Sequence, residues 1–198
     1  MEEKLLPKGF FKKNPLDEIS AARLLHFAMT YGFQEDSRQL IQDAVMKHIS
    51  DERLTQIEAE RSAISKLDSG EAVVRFMRGG TDILNRQLLS RKALSMREEV
   101  MPLLLRRFRT SCQDSFLDTA GIILANTERE YIEELARIYP EIRNPYAKSI
   151  ACLVFGVQDV ESAVPLLLRE YQRMKEEYPE ERFCQGPLLA LYCLYGKL

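Results

Sequence analysis

A duplicated segment constrains the fold of this chain more than any other feature of its sequence. Residues 101–108 read MPLLLRRF, and residues 164–171, 63 positions further along, read VPLLLREY. Each copy places apolar residues at positions i, i+1, i+4, i+5 and i+8, which form one stripe of an α-helix. The two stripes are Val100, Met101, Leu104, Leu105 and Phe108, and Ala163, Val164, Leu167, Leu168 and Tyr171. The chain therefore repeats a helix together with its buried face.

The sequence between the two copies repeats with a period near 31 residues, about half of their separation. An offset of 31 aligns Ala120 with Ala151 and Ile122 with Leu153. Each period holds two candidate helices, and one of the two is almost entirely apolar. Two helices in a short fixed period are typical of an α-solenoid. We therefore predict an all-α fold, a superhelix of antiparallel helix pairs.

The length and residue pattern favour one domain. A chain of 198 residues can bury a sizeable core, and alternating strand patterns are scarce in it. We predict a single helical domain over 1–198, with divergent helices in 14–96 and regular repeats in 97–198. Gly79-Gly80 interrupts the helical pattern without a polar linker, so we expect a turn there and no domain boundary.

Short polar residues ahead of the apolar runs predict where helices begin. We expect Thr127 to cap a helix together with Glu130 in a capping box. Pro165 would lie well inside the helix that Asp159 opens, and would bend that helix. The predicted N-caps are Asn14, Ser50, Thr81, Asp114, Thr127, Asn144 and Asp159.

The run NPYAKSIACLVFGVQDVESAVPLLLREY at 144–171 resembles a HEAT-type repeat. Such repeats often carry an Asn-Pro turn, here Asn144-Pro145, and a second helix rich in small residues. Ala151 and Gly156 would let neighbouring helices approach closely. An arginine that is frequent in the second helix is absent, and Lys148 stands nearest to its place. The resemblance is best over 97–198, and it implies a helical repeat protein that holds a partner.

No pattern in the sequence indicates catalysis, so we predict a non-enzymatic protein without metal or cofactor. His26 and His48 belong to separate predicted helices, and neither is part of a metal-binding motif. The cysteines lack CxxC spacing, which favours free thiols in a reducing compartment, with a structural metal or disulfide as the alternative. They are Cys112, Cys152, Cys184 and Cys193. Without an apparent signal peptide or membrane-spanning run, we expect a cytoplasmic location.

The charge is uneven, although the net charge is only −2. Residues 75–109 hold nine basic and three acidic residues. This basic region could bind nucleic-acid phosphates, bind an acidic protein, or be ordinary surface charge. On a helical projection its charges scatter, and only Arg106 and Arg109 share a face. The motif RFMRGGTD could also cradle an anion with the backbone amides after Thr81. The nine are Arg75, Arg78, Arg86, Arg91, Lys92, Arg97, Arg106, Arg107 and Arg109.

We therefore expect a non-catalytic helical scaffold that binds a protein or peptide, with nucleic-acid binding through 75–109 as the alternative. The candidate contact residues are Arg91, Lys92, Arg97, Arg106, Arg109, Asp118, Arg143, Tyr146 and Lys148. The very apolar last helix lacks a polar capping helix after it, so we also consider a homodimer or partner interface there. Enclosure of this helix by its own repeat is the equal alternative. The residues of that interface would be Leu188, Leu191, Tyr192 and Tyr195.

Overall fold

Helices are the regular structure throughout the part of the chain that the computed structural model describes, residues 6–16, 48–82 and 84–196. The all-α prediction is confirmed for these ranges. Two 3-10 helices, Tyr139–Glu141 and Glu161–Ala163, precede α8 and α9. The α-helices of the described residues are α1 (Phe10–Lys13), α2 (Asp51–Ser65), α3 (Gly70–Arg78), α4 (Arg86–Ser95), α5 (Arg97–Phe108), α6 (Asp114–Ala125), α7 (Arg129–Ile138), α8 (Pro145–Val157), α9 (Val164–Glu177) and α10 (Gln185–Leu194).

The helices from α2 onward pack in two rows. In the even row, α2, α4, α6, α8 and α10 each contact the next member. In the odd row, α3 contacts α5 and α5 contacts α7. The rows touch each other where α4 meets α3 and α5, and where α6 meets α3 and α5. From α2 to α8 the chain thus alternates between the rows, and α9 packs against α10.

The duplicated stripes are buried as predicted. All five apolar residues of the stripe on α5 are in the core. In the second copy Ala163, Val164, Leu167 and Tyr171 are buried, and Leu168 is half-buried. Both segments are helical and both precede an even-row helix. The prediction of which face is buried on each of these two helices is therefore confirmed.

Side chains from one period satisfy backbone carbonyls about one period earlier. Gln158 Nε2 donates to the carbonyl oxygens of Leu124 at 3.2 Å and Ala125 at 2.9 Å, in the last turn of α6. Gln113 Nε2 donates to the carbonyl of Arg78, the last residue of α3, at 3.2 Å. The last turn of a helix leaves such carbonyls without intrahelical donors. The ends of α3 and α6 are therefore completed by side chains that lie about 35 residues later in the sequence.

A close approach joins α8 and α10. A Cβ built on Gly156 would lie 2.3 Å from Ala190 Cα, and one built on Gly186 would lie 2.1 Å from the carbonyl oxygen of Ser149. Neither position has room for a side chain. The predicted role of Gly156 in close helix packing is confirmed.

Two of the predicted helix caps are confirmed, and two others are wrong. Ser50 accepts from the Arg53 amide, and Asn144 accepts from the Tyr146 amide. The Thr127 capping box does not form, because the Thr127 hydroxyl donates to Glu128, which takes the N-cap position of α7. Thr81 is not a cap either, since α4 begins only at Arg86.

Three further boundaries differ from the prediction. Asp114 is the first residue of α6 and follows the N-cap residue Gln113. Asp159 adopts a left-handed turn with φ of 52°, and Pro165 lies in the first turn of α9. Proline fits there because the first helical residues have no intrahelical partner for an N–H. The predicted bend at Pro165 is therefore wrong.

The start of the chain also differs from its prediction. Asn14 follows the end of α1 and does not open a helix at Pro15. The other residues of the two helices predicted between positions 14 and 49, including His26, lie mostly outside the described residues. His48 is described and is exposed.

Candidate functional site

A groove of about 470 Å³ runs between α5 and α7 on the odd row. We call it the α5–α7 groove. Its α5 side consists of Pro102, Leu105, Arg106 and Arg109, and its α7 side consists of Glu130, Tyr131, Glu134 and Ile138. The volume lies within the range of about 300–1,000 Å³ that is usual for ligand sites. The groove is therefore large enough to receive several side chains of a partner.

The floor of the groove is apolar because it lies where two amphipathic helices meet. Leu105 is buried, Tyr131 and Ile138 are half-buried, and Pro102 is exposed. Proline has no backbone N–H, so Pro102 leaves the Glu98 carbonyl without its usual donor from four residues later. The sequence thus supplies an apolar surface where the two helices meet.

The two sides of the groove carry opposite charge. Arg106 is exposed, and among the described residues it makes no ion pair, whereas Arg109 pairs with Glu141 at 2.7 Å. On the other side Glu134 pairs with Arg137. Burial raises the pKa of the Tyr131 phenol, and the nearby carboxylate of Glu130 raises it further. One side is therefore basic and the other acidic.

A second cluster of predicted contact residues lies on the even row. Arg86 Nη1 on α4 pairs with Asp118 Oδ2 on α6 at 3.0 Å. The Tyr146 hydroxyl on α8 donates to the other carboxylate oxygen of Asp118. These three side chains cross three successive helices. The sequence predicted Asp118 and Tyr146 as contact residues for a partner, and it assigned Arg86 only to the basic region.

The predicted contact residues are distributed over both rows of helices. Arg106 and Arg109 border the α5–α7 groove on the odd row, whereas Asp118 and Tyr146 lie on the even row. The Lys148 ammonium lies 5.2 Å from the centre of the Tyr139 ring. Arg91 and Arg143 are exposed and Lys92 is half-buried. Their role in partner binding stays a prediction.

Several basic residues of 75–109 are engaged within the chain. Arg86 pairs with Asp118, Arg97 with Glu128 at 2.7 Å, and Arg109 with Glu141. Arg75 and Arg78 are exposed on α3. The acidic partners neutralise part of the charge that the sequence concentrates here. Nucleic-acid binding stays a prediction.

The Gly79-Gly80 turn is built around a carboxylate of the chain itself. The Asp82 amide donates to both Glu60 oxygens, at 3.1 and 3.2 Å. The Asn85 amide group donates to Glu60 Oε2 at 2.6 Å and to the Ile57 carbonyl at 2.9 Å. Glu60 therefore occupies the position that a bound anion would take near these amides.

A buried polar cluster lies between α8, α9 and the 3-10 helix before α8. The hydroxyl of Tyr139 and the sulfur of Cys152 are 3.4 Å apart. Burial raises the pKa of the Cys152 thiol to about 12, and it also raises the pKa of Tyr139. Glu170, only 5% exposed, binds Arg173 at 2.6 Å. A thiol that stays protonated is a poor nucleophile, so this cluster acts in packing.

The predicted interface residues of the last helix are mostly covered within the chain. Leu188, Leu191 and Tyr192 are buried, and Tyr195 is 37% exposed. Residues 6–16, which we call the strap, lie over the two tyrosines. A homodimer through α10 stays a prediction.

Other kinds of site are not apparent in the described ranges. There, no three His, Cys, Asp or Glu side chains are grouped so that they could hold a metal ion. All four cysteines are free, and Cys112 is exposed. None of the helices in these ranges has the length and apolar character needed to cross a bilayer. No family model, curated protein or solved structure matches the chain.

The sequence reasoning missed one side of the groove. Glu130, Tyr131, Glu134 and Ile138 share a face of α7 at positions i, i+1, i+4 and i+8. This spacing could have been noticed, because a tyrosine and an isoleucine lie beside carboxylates on it. The sequence does not show which helix this face packs against, since only the folded structure places it opposite Pro102 and Leu105 on α5.

Proposed function

We propose that the protein is a non-catalytic helical-repeat scaffold that holds an amphipathic peptide or helix of a protein partner in the α5–α7 groove. The groove, with its apolar floor and oppositely charged sides, is the observation that carries this proposal. Enzymatic chemistry would need an activated nucleophile, an acid–base pair or a metal site. The groove offers instead a shape and charge pattern suited to recognition.

We also infer that the scaffold is a HEAT-like α-solenoid with a period near 31 residues. Its support is the spacing of the side-chain contacts between units. Arg86 and Asp118 are 32 residues apart, as are Arg109 and Glu141, and Asn144 donates to the Ser111 carbonyl across 33 residues. Contacts that recur at a constant sequence separation are expected when similar units stack on their neighbours.

The groove also specifies the chemistry of its partner. A helix that lies in a groove presents apolar side chains at i, i+3 or i+4 and i+7. Such side chains would cover Leu105, Tyr131 and Ile138. A carboxylate on one flank would pair with Arg106, and a basic residue on the other would face Glu130. We therefore expect a partner with an apolar stripe between an acidic and a basic edge.

The test is selection of helical peptides from a random displayed library on the intact chain. Enriched peptides should share the apolar spacing and an acidic residue on one flank. Their affinity should fall at least tenfold, or about 1.4 kcal/mol, on the Arg106→Glu and Tyr131→Ala variants. Fluorescence anisotropy measures these affinities. Arg106 is exposed and Tyr131 is only half-buried, so circular dichroism should show unchanged helix content.

The matched control is Arg75→Glu, which makes the same charge change on the exposed face of α3. It should leave peptide affinity within twofold of the unmodified chain. Peptides that bind Arg106→Glu and the unmodified chain equally would exclude the groove as the site. A gel-shift titration across salt distinguishes nucleic-acid binding, which would weaken steeply as salt rises.

A further inference from the structure

The strap contacts the other end of the chain through aromatic rings. The Phe10 ring is 5.7 Å from the Tyr171 ring on α9, in an edge-to-face arrangement. The Phe11 ring is 4.6 Å from that of Tyr192 on α10 and 5.8 Å from that of Tyr195. Aromatic pairs in these geometries contribute more than their buried area alone. Two adjacent phenylalanines thus meet three tyrosines.

Hydrogen bonds fix the strap in register on this surface. The Tyr171 hydroxyl donates to Asn14 Oδ1 at 2.8 Å, and the Tyr192 hydroxyl donates to the Asn14 backbone carbonyl at 2.9 Å. The Asn14 side-chain amide donates back to the Phe10 carbonyl at 2.9 Å. Asn14 therefore links the fold of the strap to both tyrosines. The strap residues that contact the tyrosines thus form the pattern Phe-Phe-x-x-Asn.

The strap has the properties of a docked peptide. Its helix α1 has four residues, too few to be stable without support. Leu6, Phe10, Phe11 and Leu16 face the core, while the lysines of the strap are exposed. A cavity of about 350 Å³ remains between the strap and Tyr195. The strap is thus held by one face against the helices, and its contact is incompletely packed.

We propose that the surface formed by Tyr171, Tyr192 and Tyr195 is a peptide-binding site whose resident ligand is the strap, and that a separate segment with the Phe-Phe-x-x-Asn pattern displaces it. The site is distinct from the α5–α7 groove, so this inference does not depend on the proposed function. While the strap is docked, the site is closed to ligands from outside. The strap therefore acts as an intramolecular competitor.

The experiment uses the full chain and a labelled peptide that spans residues 6–16. In the opened variant, Phe10→Asp/Phe11→Asp, the strap can no longer dock. The opened variant should bind the peptide at least tenfold more tightly than the unmodified chain, whose site is available only in the small undocked fraction. Adding Tyr192→Ala to the opened variant should weaken binding at least tenfold. A peptide with both phenylalanines changed to alanine is the control ligand.

Equal affinity of the opened and unmodified chains for the peptide would overturn the proposal, as would full binding by the Tyr192→Ala derivative. If the opened variant loses its helical circular dichroism signal, displacement of the strap is tested in the unmodified chain by hydrogen exchange. In a ¹⁵N-labelled chain, the Lys13 and Asn14 amides donate to the Gly9 and Phe10 carbonyls. Excess unlabelled peptide should accelerate their hydrogen exchange, and unchanged rates would contradict displacement.

Discussion

The close contact between α8 and α10 gives the sharpest prediction about stability. Gly156→Ala would place a methyl group 2.3 Å from Ala190 Cα and 2.8 Å from the Ala190 carbonyl oxygen. Carbon atoms in packed interiors are normally about 3.5–4.0 Å apart. The two helices would therefore have to separate by more than about 1 Å. Backbone cannot move aside as a flexible side chain can, so the helix pair as a whole must shift.

Two opposing effects determine the size of the change. Alanine is favoured over glycine within a helix by about 1 kcal/mol. Overpacking a core typically destabilises by about 1–3 kcal/mol, and by more where the obstructing atoms are rigid. Since the obstruction here is backbone, we expect a net loss of about 2–3 kcal/mol. For a chain of this size that corresponds to a fall in Tm of about 4–12 °C.

The assay is urea unfolding followed by circular dichroism, with hydrogen exchange to locate the loss. Protection should fall in α8 and α10 before it falls in α3 and α5. The matched control is Gly79→Ala, where the new methyl would meet only the Phe76 carbonyl oxygen at 3.4 Å. Its φ of −73° suits alanine, so stability should stay equal or rise by up to about 1 kcal/mol. A Gly156→Ala chain within about 0.5 kcal/mol of the unmodified one would refute the close approach.

Two further predictions concern buried polar groups. Asn85→Leu removes the donor to Ile57 and Glu60 at a fully buried position, so the free energy of unfolding should fall by about 1–3 kcal/mol. Urea titration measures this loss, and an unchanged unfolding midpoint would contradict the role of the Asn85 side chain. The pKa of Cys152 rises from 9.0 to about 12 on folding, so the unfolded chain loses this proton first and stability should decline from about pH 9 towards pH 12. Between pH 9 and 10 the unmodified chain should lose about 1 kcal/mol more than Cys152→Ser, and equal slopes would contradict the shift.

The sequence predicted those features that depend on periodicity within one helix. The apolar stripe on α5 and the small residue Gly156 were readable because a helix repeats every 3.6 residues and a glycine in an apolar helix indicates close packing. The cap at Asn144 was also readable, because Asn-Pro leaves few alternatives for the local backbone. Each of these required only neighbouring residues along the chain.

Several of the failures come from residues that are distant in sequence, although Thr127 lost its cap position to its neighbour Glu128. Thr81 has the composition of an N-cap, but Glu60 engages the backbone after it and delays the helix. Likewise, the tyrosines of α9 and α10 receive the strap, a contact that no local pattern in the sequence indicates. The groove depended on a helix pairing that composition does not specify. The candidate sites therefore lie where the sequence was least informative.

The strap also sets an order in which the molecule can be completed. Arrays of helix pairs fold largely from contacts between neighbours, and such contacts form early because little chain must be closed. Asn14 meets Tyr171 and Tyr192 across 157 and 178 residues. During synthesis on a ribosome, residues 6–16 emerge before α10, so the strap can dock only after α10 has emerged. Docking of the strap is thus a late event that follows synthesis of α10, and until then its two phenylalanines are available to chaperones.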